Sequence, residues 1–317
     1  MSSHKVTVEE SHKGIFTQTI TDGRHTLSAD VPAALGGNDT GPNPYDKLMS
    51  ALGSCTSMTL RMYADVKKWP LEGVEVSLTH HKEKDPATGV VGDVITRAIT
   101  VNGPLDDEQK SRLIEIANKC PVHKTLESHP DVTTQLAPKT AADAFAPKEA
   151  GTKPEKPRFS VQAAQAQRAV TVASTGEGKF TQKVTAGGTT YNTDEPVELG
   201  GLDKGPNPYE ELLSALGACT SMKMRRFAQE NEYPLQHISV ALSHHKEKLA
   251  DGKVVDKFER AITLKGNLSD EQRQKLLDVA NACPIHQTLL TGPKVVTVLA
   301  NAGTKPAVTP PPAAPRM

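Results

Sequence analysis

The stretch that decides the fold is GPNPYDKLMSALGSCTSM, at positions 41–58 of a chain of 317 residues. A near-copy, GPNPYEELLSALGACTSM, occupies positions 205–222, and fourteen of the eighteen residues are identical. Two shorter motifs repeat in the same order: HHKEK at 80–84 and 244–248, and CPVH at 120–123 with CPIH at 283–286. A repeat of this length indicates a duplicated domain rather than a short solenoid unit.

The duplication divides the chain into four parts. We expect one domain over residues 1–137 and a second over residues 168–301. Residues 138–167 are rich in Ala, Lys, Pro and Gln, which predicts an extended linker. Residues 302–317 include five prolines and predict a disordered tail.

The composition excludes several classes of protein. Lys and Arg total 37, as do Asp and Glu, so a net charge of zero argues against a nucleic-acid binder. No apolar run approaches the ~20 residues of a membrane span, and the polar N-terminus does not resemble a secretory signal. We therefore expect a cytoplasmic protein with no membrane partner. Its four cysteines would then be reactive, metal-binding or buried rather than structural disulfides.

The sequence pattern of each copy predicts a mixture of helices and strands. A long helix is expected from Pro44 to about Lys68, with Cys55 on its apolar face. The elements expected after it are, in order, strands around 74–80 and 95–101, a capped helix that reaches Cys120, and a strand around 132–136. The fold class is therefore α+β.

The cysteines occur as one pair per copy, Cys55 with Cys120 and Cys219 with Cys283. Their separations of 65 and 64 residues do not show whether they touch. Cys55 is either a small core residue or an active thiol. Cys120 ends one helix while Pro121 can open the next, so free backbone N–H groups would favour a thiolate there. The alternative is a helix-end cysteine without special chemistry.

Two thiols of this kind suit the reduction of a peroxide. An attacking thiolate becomes a sulfenic acid, and a second thiol condenses with it to a disulfide before irreversible oxidation. Apolar surroundings would favour an organic hydroperoxide over hydrogen peroxide.

A metal site is the alternative use of the same residue types. Cys120, His123, His80 and His81 offer the sulfur and imidazole ligands that zinc accepts. However, His80 and His81 are adjacent on a strand and point to opposite faces, and no C-x-x-C pair is present. No metal is therefore expected.

The histidines then have structural roles. We expect His80 and His244 to hydrogen-bond at the edge of a core. His123 and His286 would be exposed on the first turn of the last helix of each copy.

Arg97 and Arg260 lie on the apolar faces of their strands, where a charge needs a partner or a function. One interpretation is an ion pair with Asp46, Glu210 or another acid. The other is a cation that lowers the pKa of a thiol or holds the peroxide oxygens.

The motifs around the two cysteines, taken together and found twice, resemble those of the OsmC/Ohr family. The resemblance implies a two-layer α+β fold that forms an intertwined dimer. In this chain the two domains would form an intramolecular pseudo-dimer, with central long helices packed on antiparallel sheets. Family members are thiol-dependent organic hydroperoxide reductases, so Cys55 and Cys219 would be peroxidatic and Cys120 and Cys283 resolving. No bound cofactor is implied; an external dithiol, lipoyl-type in some members, would be the reductant.

One departure from the family pattern concerns its catalytic arginine–glutamate pair. The glutamate that follows Asn-Pro in the peroxidase branches is replaced by Tyr45 and Tyr209, and an acid follows one position later. Arg24 lies in the region of the arginine, but copy two has Gly188 there. The leading function is a thiol peroxidase. The alternatives are a non-catalytic redox sensor and a small-molecule-binding protein with inert cysteines.

Overall fold

The computed structural model describes residues 3–138 and 169–300. Apart from Pro138, the predicted linker and the predicted tail lie outside the described residues. The elements of copy one are β1 (His4–Glu10), β2 (Gln18–Thr21), β3 (Thr26–Ala29), α1 (Pro44–Lys67), β4 (Gly73–Lys84), β5 (Val91–Asn102), α2 (Asp107–Ala117), α3 (Pro121–Glu127) and β6 (Asp131–Leu136). Those of copy two are β7 (Val170–Ser174), β8 (Gln182–Ala186), β9 (Thr189–Thr193), α4 (Pro208–Glu230), β10 (Leu235–Lys248), β11 (Val254–Gly266), α5 (Asp270–Asn281), α6 (Pro284–Thr291) and β12 (Lys294–Leu299).

The long helix α1 begins and ends where the sequence predicts. The Asn43 side chain accepts the N–H groups of Tyr45 and Asp46, and Asp46 in turn accepts the Asn43 N–H. Pro44 occupies the first helical position, where its missing N–H costs nothing. Lys68 ends the helix in the left-handed conformation, with φ of 55°. Local capping therefore explains both boundaries.

Each of the two sheets contains strands from both copies. Their strand orders are β3-β2-β1-β10-β11-β6 and β12-β5-β4-β7-β8-β9. Most neighbours are antiparallel, as expected, but β6 pairs in parallel with β11, and β12 with β5. The closing strand of each copy thus pairs with a strand of the other copy, and the two copies form an intramolecular pseudo-dimer.

The helices α1 and α4 pack against each other between the two sheets. Gly53 permits this arrangement, because a Cβ there would lie 2.7 Å from Val172 and 2.8 Å from Leu78. Gly217 has the same role on the opposite sheet. The cysteine-bearing turn of α1 is therefore held tightly against strands β4 and β7, which belong to different copies.

Candidate functional site

The structure brings the two cysteines of each copy together at the start of a short helix. Cys55 lies on α1, and its Sγ accepts the N–H of Val122 at 3.4 Å. Cys120 is the N-cap of α3, and its Sγ accepts the N–H of His123 at 3.4 Å. The two thiols are close enough that each shifts the pKa of the other, and both are free and buried. Cys219 and Cys283 are placed alike, on α4 and at the start of α6, and the Sγ of Cys219 accepts the N–H of Ile285 at 3.5 Å.

Arg97 reaches the same place from β5 and is fully buried. Its guanidinium donates to Thr56 Oγ1 at 2.7 Å and lies 3.9 Å from the Sγ of Cys120. It also donates to Asn118 Oδ1 and to Thr297 Oγ1, each at 2.7 Å. These partners are neutral, and neither Asp46 nor Glu210 is among them. The predicted ion pair with those acids is therefore wrong, and the Cys120 sulfur is the acceptor that can carry the opposite charge.

Arg260 has the same environment in copy two. It donates to Thr220 Oγ1 at 2.6 Å and to Thr134 Oγ1 at 2.7 Å, and it lies 3.8 Å from the Sγ of Cys283. Thr134 belongs to copy one, just as Thr297 at the first site belongs to copy two. Each arginine is thus held partly by the other copy.

The histidines three residues after Cys120 and Cys283 are buried. The sequence-based prediction that they would be exposed is therefore wrong. His123 is 3% exposed and His286 is 5% exposed. The Nδ1 of His123 accepts a hydrogen bond from the Arg97 guanidinium at 3.1 Å, while Nε2 lies 3.0 Å from Glu127. Burial and the arginine charge lower the pKa of His123. The ring is therefore neutral and leaves the arginine charge uncompensated.

The surroundings shift the pKa values of the two thiols of a pair in opposite directions. Burial raises the pKa of Cys55, and the neighbouring Cys120 raises it further. Burial alone would also raise the pKa of Cys120, but the hydrogen bond from Cys55, the Arg97 charge and the His123 N–H lower it to about 7. The pKa of Cys283 is lowered to about 6 for the same reasons. When a pair loses one proton, these effects favour the negative charge on the second cysteine and the remaining proton on the first.

The first histidine of the repeated HHKEK motif in one copy contributes to the cysteine site of the other copy. His244 donates to Asp256 at 2.8 Å, so the expected hydrogen bond at the edge of a core is found, as it is for His80 with Asp93. Asp256 also accepts the hydroxyl of Thr125, which lies on the helix that Cys120 begins. An acid of copy two thus anchors the cysteine helix of copy one.

The tyrosines that replace the family glutamate lie beside this anchor. The hydroxyl of Tyr209 is 3.0 Å from that of Thr125, and its ring stacks on His244 with centroids 4.1 Å apart. Burial raises the pKa of Tyr209, and the nearby cysteines add to that effect. Tyr45 repeats the contact with Thr288 of copy two. Each tyrosine therefore stays protonated near the cysteine pair of the other copy.

Among the described residues, one counterpart of the family's arginine–glutamate pair forms. Arg24 donates to both carboxylate oxygens of Glu210, at 2.7 and 2.8 Å, and also contacts Asp203. Glu210 is the acid one position after Tyr209, and the equivalent of Arg24 in copy two is Gly188. The two sites are thus chemically different.

Other site residues could not be identified from the sequence. Thr56 follows Cys55 in the repeated motif, so the repeat could have marked it as a site residue. Thr297 and Thr134 carry no such signal, because each acts in the site of the other copy. In the described part of the chain, no three His, Cys, Asp or Glu side chains are grouped as metal ligands would be.

A family model described as OsmC-like protein matches residues 36–135 and 201–298, one region in each copy. The chain belongs to the OsmC-like family. Similar solved structures include an organic hydroperoxide resistance protein OsmC from Legionella pneumophila, at 24% identity and a TM-score of 0.31, covering 38% of this chain and 88% of that one. An OsmC-like protein from Mycoplasma pneumoniae is 20% identical, with a TM-score of 0.33, covering 40% and 88%.

An organic hydroperoxide resistance protein from Elizabethkingia anophelis is 19% identical, with a TM-score of 0.31, covering 39% of this OsmC-like chain and 86% of its own. A search of curated proteins finds no match. Among the described residues of this OsmC-like protein, no helix has the length and apolar character needed to cross a membrane.

Proposed function

We propose that this OsmC-like protein reduces organic hydroperoxides through two cysteine pairs, Cys55 with Cys120 and Cys219 with Cys283. The observation that carries the proposal is the buried arginine of each site, which has neutral hydrogen-bond partners and lies within 4 Å of the second sulfur. A buried cation of this kind stabilises a thiolate. No structural role requires a thiolate in a core.

The first cysteine of each pair is the attacking group. Cys55 and Cys219 are 6% and 7% exposed, whereas Cys120 and Cys283 are completely buried, so a substrate meets the first thiol. That thiol is protonated at rest. The adjacent thiolate accepts its proton as attack begins, in the manner of a general base.

The chemistry then proceeds in two steps. The sulfur of Cys55 attacks the distal oxygen of the hydroperoxide, the O–O bond breaks, and the departing alkoxide takes the proton from Cys120 to leave as an alcohol. Cys120, again a thiolate, attacks the sulfenic sulfur of Cys55, forms the S–S bond and expels hydroxide. An external dithiol, lipoyl-type by resemblance to the family, reduces the disulfide and closes the cycle.

The side chains around the pair suit this sequence of steps. Arg97 and Thr56 stabilise the thiolate of Cys120, which is the form that accepts the proton. Thr125 and Asp256 hold α3, so that Cys120 stays beside Cys55. The apolar core on both sides of α1 favours organic peroxides over hydrogen peroxide.

Non-reducing peptide mapping after limiting cumene hydroperoxide tests the proposal. We expect disulfides within each pair, and steady-state consumption of hydroperoxide with a dithiol. Replacing Cys55 and Cys219 together by Ser should abolish turnover, while replacing Cys120 and Cys283 should leave a sulfenic acid that a dimedone probe labels. The variant without cysteines supplies the background rate.

Three outcomes would overturn the assignment. Disulfides that cross between pairs would contradict the roles given to the cysteines. Disulfide formation without turnover by any dithiol would indicate a redox sensor instead, and thiols that stay reduced would indicate inert core residues.

A further inference from the structure

An arginine near the end of each long helix has the same anchor in both copies but different further partners. Arg225 on α4 and Arg61 on α1 occupy equivalent positions of the repeat. Arg225 donates to the carbonyl of Leu235 through Nη1, and Arg61 donates to the carbonyl of Leu71, again through Nη1. Because these two carbonyls are also equivalent, the remaining N–H groups of the two arginines can be compared directly.

A carboxylate of the chain binds the remaining N–H groups of Arg225. Glu10, at the end of β1, accepts Nε and Nη2 of Arg225 through its two oxygens, each at 2.5 Å. It also accepts the N–H of Ile238 at 2.8 Å, and its side chain is 5% exposed. The contact is the planar, bidentate arrangement that arginine forms with carboxylates. Since Glu10 belongs to copy one and Arg225 to copy two, it also joins the copies.

Ser174 takes the position of Glu10 in the other half of the molecule. Its hydroxyl oxygen accepts the N–H of Val74 at 3.0 Å, as Glu10 accepts the equivalent N–H. In the described part of the chain, the shorter side chain forms no hydrogen bond with Arg61, and its own O–H finds no acceptor. Arg61 Nε likewise has no acceptor among those residues, and Nη2 donates to the carbonyl of Glu72 at 3.1 Å. Two donors are therefore available side by side.

A cavity of about 380 Å³ lies beside these donors. It is bounded by α1 and the start of β4 from copy one, and by β7 and the following turn from copy two. No cysteine of the described residues lines it, so the cavity is separate from the cysteine pairs. The lining residues that matter for binding are Arg61, Asp65, Glu72, Ser174, Gly176 and Lys179.

Smaller side chains open this cavity on an unchanged backbone. In the other half, His12 and His237 are in contact, with ring nitrogens 3.0 Å apart, and their equivalents here are Gly176 and Gly73. His12 and Gly176 both have left-handed backbones, with φ of 58° and 78°. A Cβ at Gly176 would have no neighbouring atom within 4 Å. The space beside Arg61 therefore results from side chains that are smaller than their equivalents, not from a different path of the chain.

The charges around the cavity leave the Arg61 guanidinium without an acidic partner. Asp65 is paired, since the Nζ of Lys179 lies 2.8 Å from its carboxylate. Glu72 is exposed, and its carboxylate has no ion pair with Arg61 or another cation in the described ranges. Its position is held by Gln236 in copy two. Glu72 is therefore a nearby like charge for any anion that enters.

We propose that this cavity binds a small organic carboxylate, held by the guanidinium of Arg61 and the hydroxyl of Ser174. The bound group would contact Arg61 as Glu10 contacts Arg225, so the chain itself supplies the template for the ligand. Both oxygens of a planar carboxylate match the two parallel N–H groups of an arginine, which favours this class over other anions. The ligand would join α1 of copy one to β7 of copy two. The inference does not depend on the proposed peroxide reduction.

NMR of the arginine Nε–H groups in the full chain tests the proposal, with sodium acetate as the probe. Arg225 is an internal reference, because its Nε–H already donates to a carboxylate. Arg61→Lys and Arg225→Lys assign the two signals by their loss. Acetate should move the Arg61 signal towards that of Arg225, with a Kd on the order of millimolar, as expected for one partly exposed bidentate contact. Acetamide, which has a similar shape and no charge, should cause no shift.

Ser174→Glu gives the second half its own carboxylate. It repeats a side chain that the fold already accommodates at the equivalent position, Glu10. The Arg61 signal should then lie close to that of Arg225 before any acetate is added. The response to acetate should be lost, because the new side chain takes the place of the ligand.

Glu72→Gln repeats the residue that copy two has at this position, Gln236. It should tighten acetate binding by about threefold, because it removes a like charge close to the bound anion. Glu108→Gln is the matched control, since Glu108 is an exposed acid on α2 and should leave the Kd unchanged.

Three results would overturn the inference. The Arg61 signal might fail to move with acetate, or its response might survive in Ser174→Glu, and either result would show that no carboxylate binds at this arginine. An equal response to sulfate, which is tetrahedral, would contradict the assignment of a carboxylate.

Discussion

At the scale of single residues, Arg97 determines which sulfur of the first pair carries the charge. Replacing it by Gln removes the nearby cation while Thr56 and Asn118 can still hydrogen-bond the side chain. We expect the pKa of Cys120 to rise by about 1–3 units, since an adjacent opposite charge shifts a pKa by that much. The thiolate present near pH 7 in the unmodified chain would then appear only at higher pH.

The ultraviolet absorbance of thiolates, followed against pH, measures this change. The titration near pH 7 should move to higher pH in Arg97→Gln, while the Cys283 titration near pH 6 should stay in place. Arg112→Gln is the control, because Arg112 is an exposed arginine on α2. A titration that does not change in Arg97→Gln would show that the helix start alone holds the thiolate.

At the scale of elements, the packing of α1 on α4 contains a buried ion pair. The Nζ of Lys47 lies 3.0 Å from the Oε1 of Glu211, and both side chains are completely buried. The two residues occupy equivalent positions of the repeat, within the stretches 41–58 and 205–222. Tyr191 supports the pair through a hydrogen bond to Glu211 and a ring 4.3 Å from the lysine. Two identical copies would place like charges here, so the pair favours copy one beside copy two.

Lys47→Met should lower the free energy of unfolding by about 3–5 kcal/mol, because it leaves the Glu211 carboxylate buried without its cation. Glu211→Lys should also destabilise the chain, since it places two ammonium groups together. Exchanging the two residues in one variant should recover much of the loss. Denaturant unfolding measures all three, with the exposed Lys124→Met as control. An exchanged variant as unstable as the sum of the single variants would show that the two positions are not complementary.

At the scale of the whole molecule, the exchange of strands makes the two copies inseparable. Strand β1 pairs with β10, β4 with β7, β6 with β11, and β12 with β5, so hydrogen-bonded ladders join the copies at four places. Each cysteine site also takes residues from both copies. A connection between the copies is therefore not needed to hold the folded halves together.

A protease site inserted after residue 150 tests this conclusion. The cleaved protein should elute as one particle of about the mass of the intact chain, 34.0 kDa, and should keep both cysteine pairs reactive. The halves should separate only in denaturant. The uncleaved protein with the same insertion is the control. Two folded particles of half the mass under native conditions would show that each copy is complete by itself.

Much of the architecture is determined by the sequence alone. The repeat showed the duplication, and Pro44 and the apolar periodicity placed α1 correctly, because helix-start and amphipathic patterns are local. The cysteines were singled out by their motifs, and their roles rest on the resemblance to the family. Local context also indicated a thiolate at Cys120, since the start of a helix can be recognised from Pro121.

Only the tertiary structure decided which copy supplies each partner. The contacts of Arg97, the burial of His123 and the role of Thr297 all depend on residues distant in sequence. Because the two copies share their motifs and their order of elements, the sequence does not distinguish a closing strand that pairs within its own copy from one that pairs with the other copy. That choice depends on which arrangement buries both apolar faces of the helix pair, a property of the packed molecule rather than of any segment.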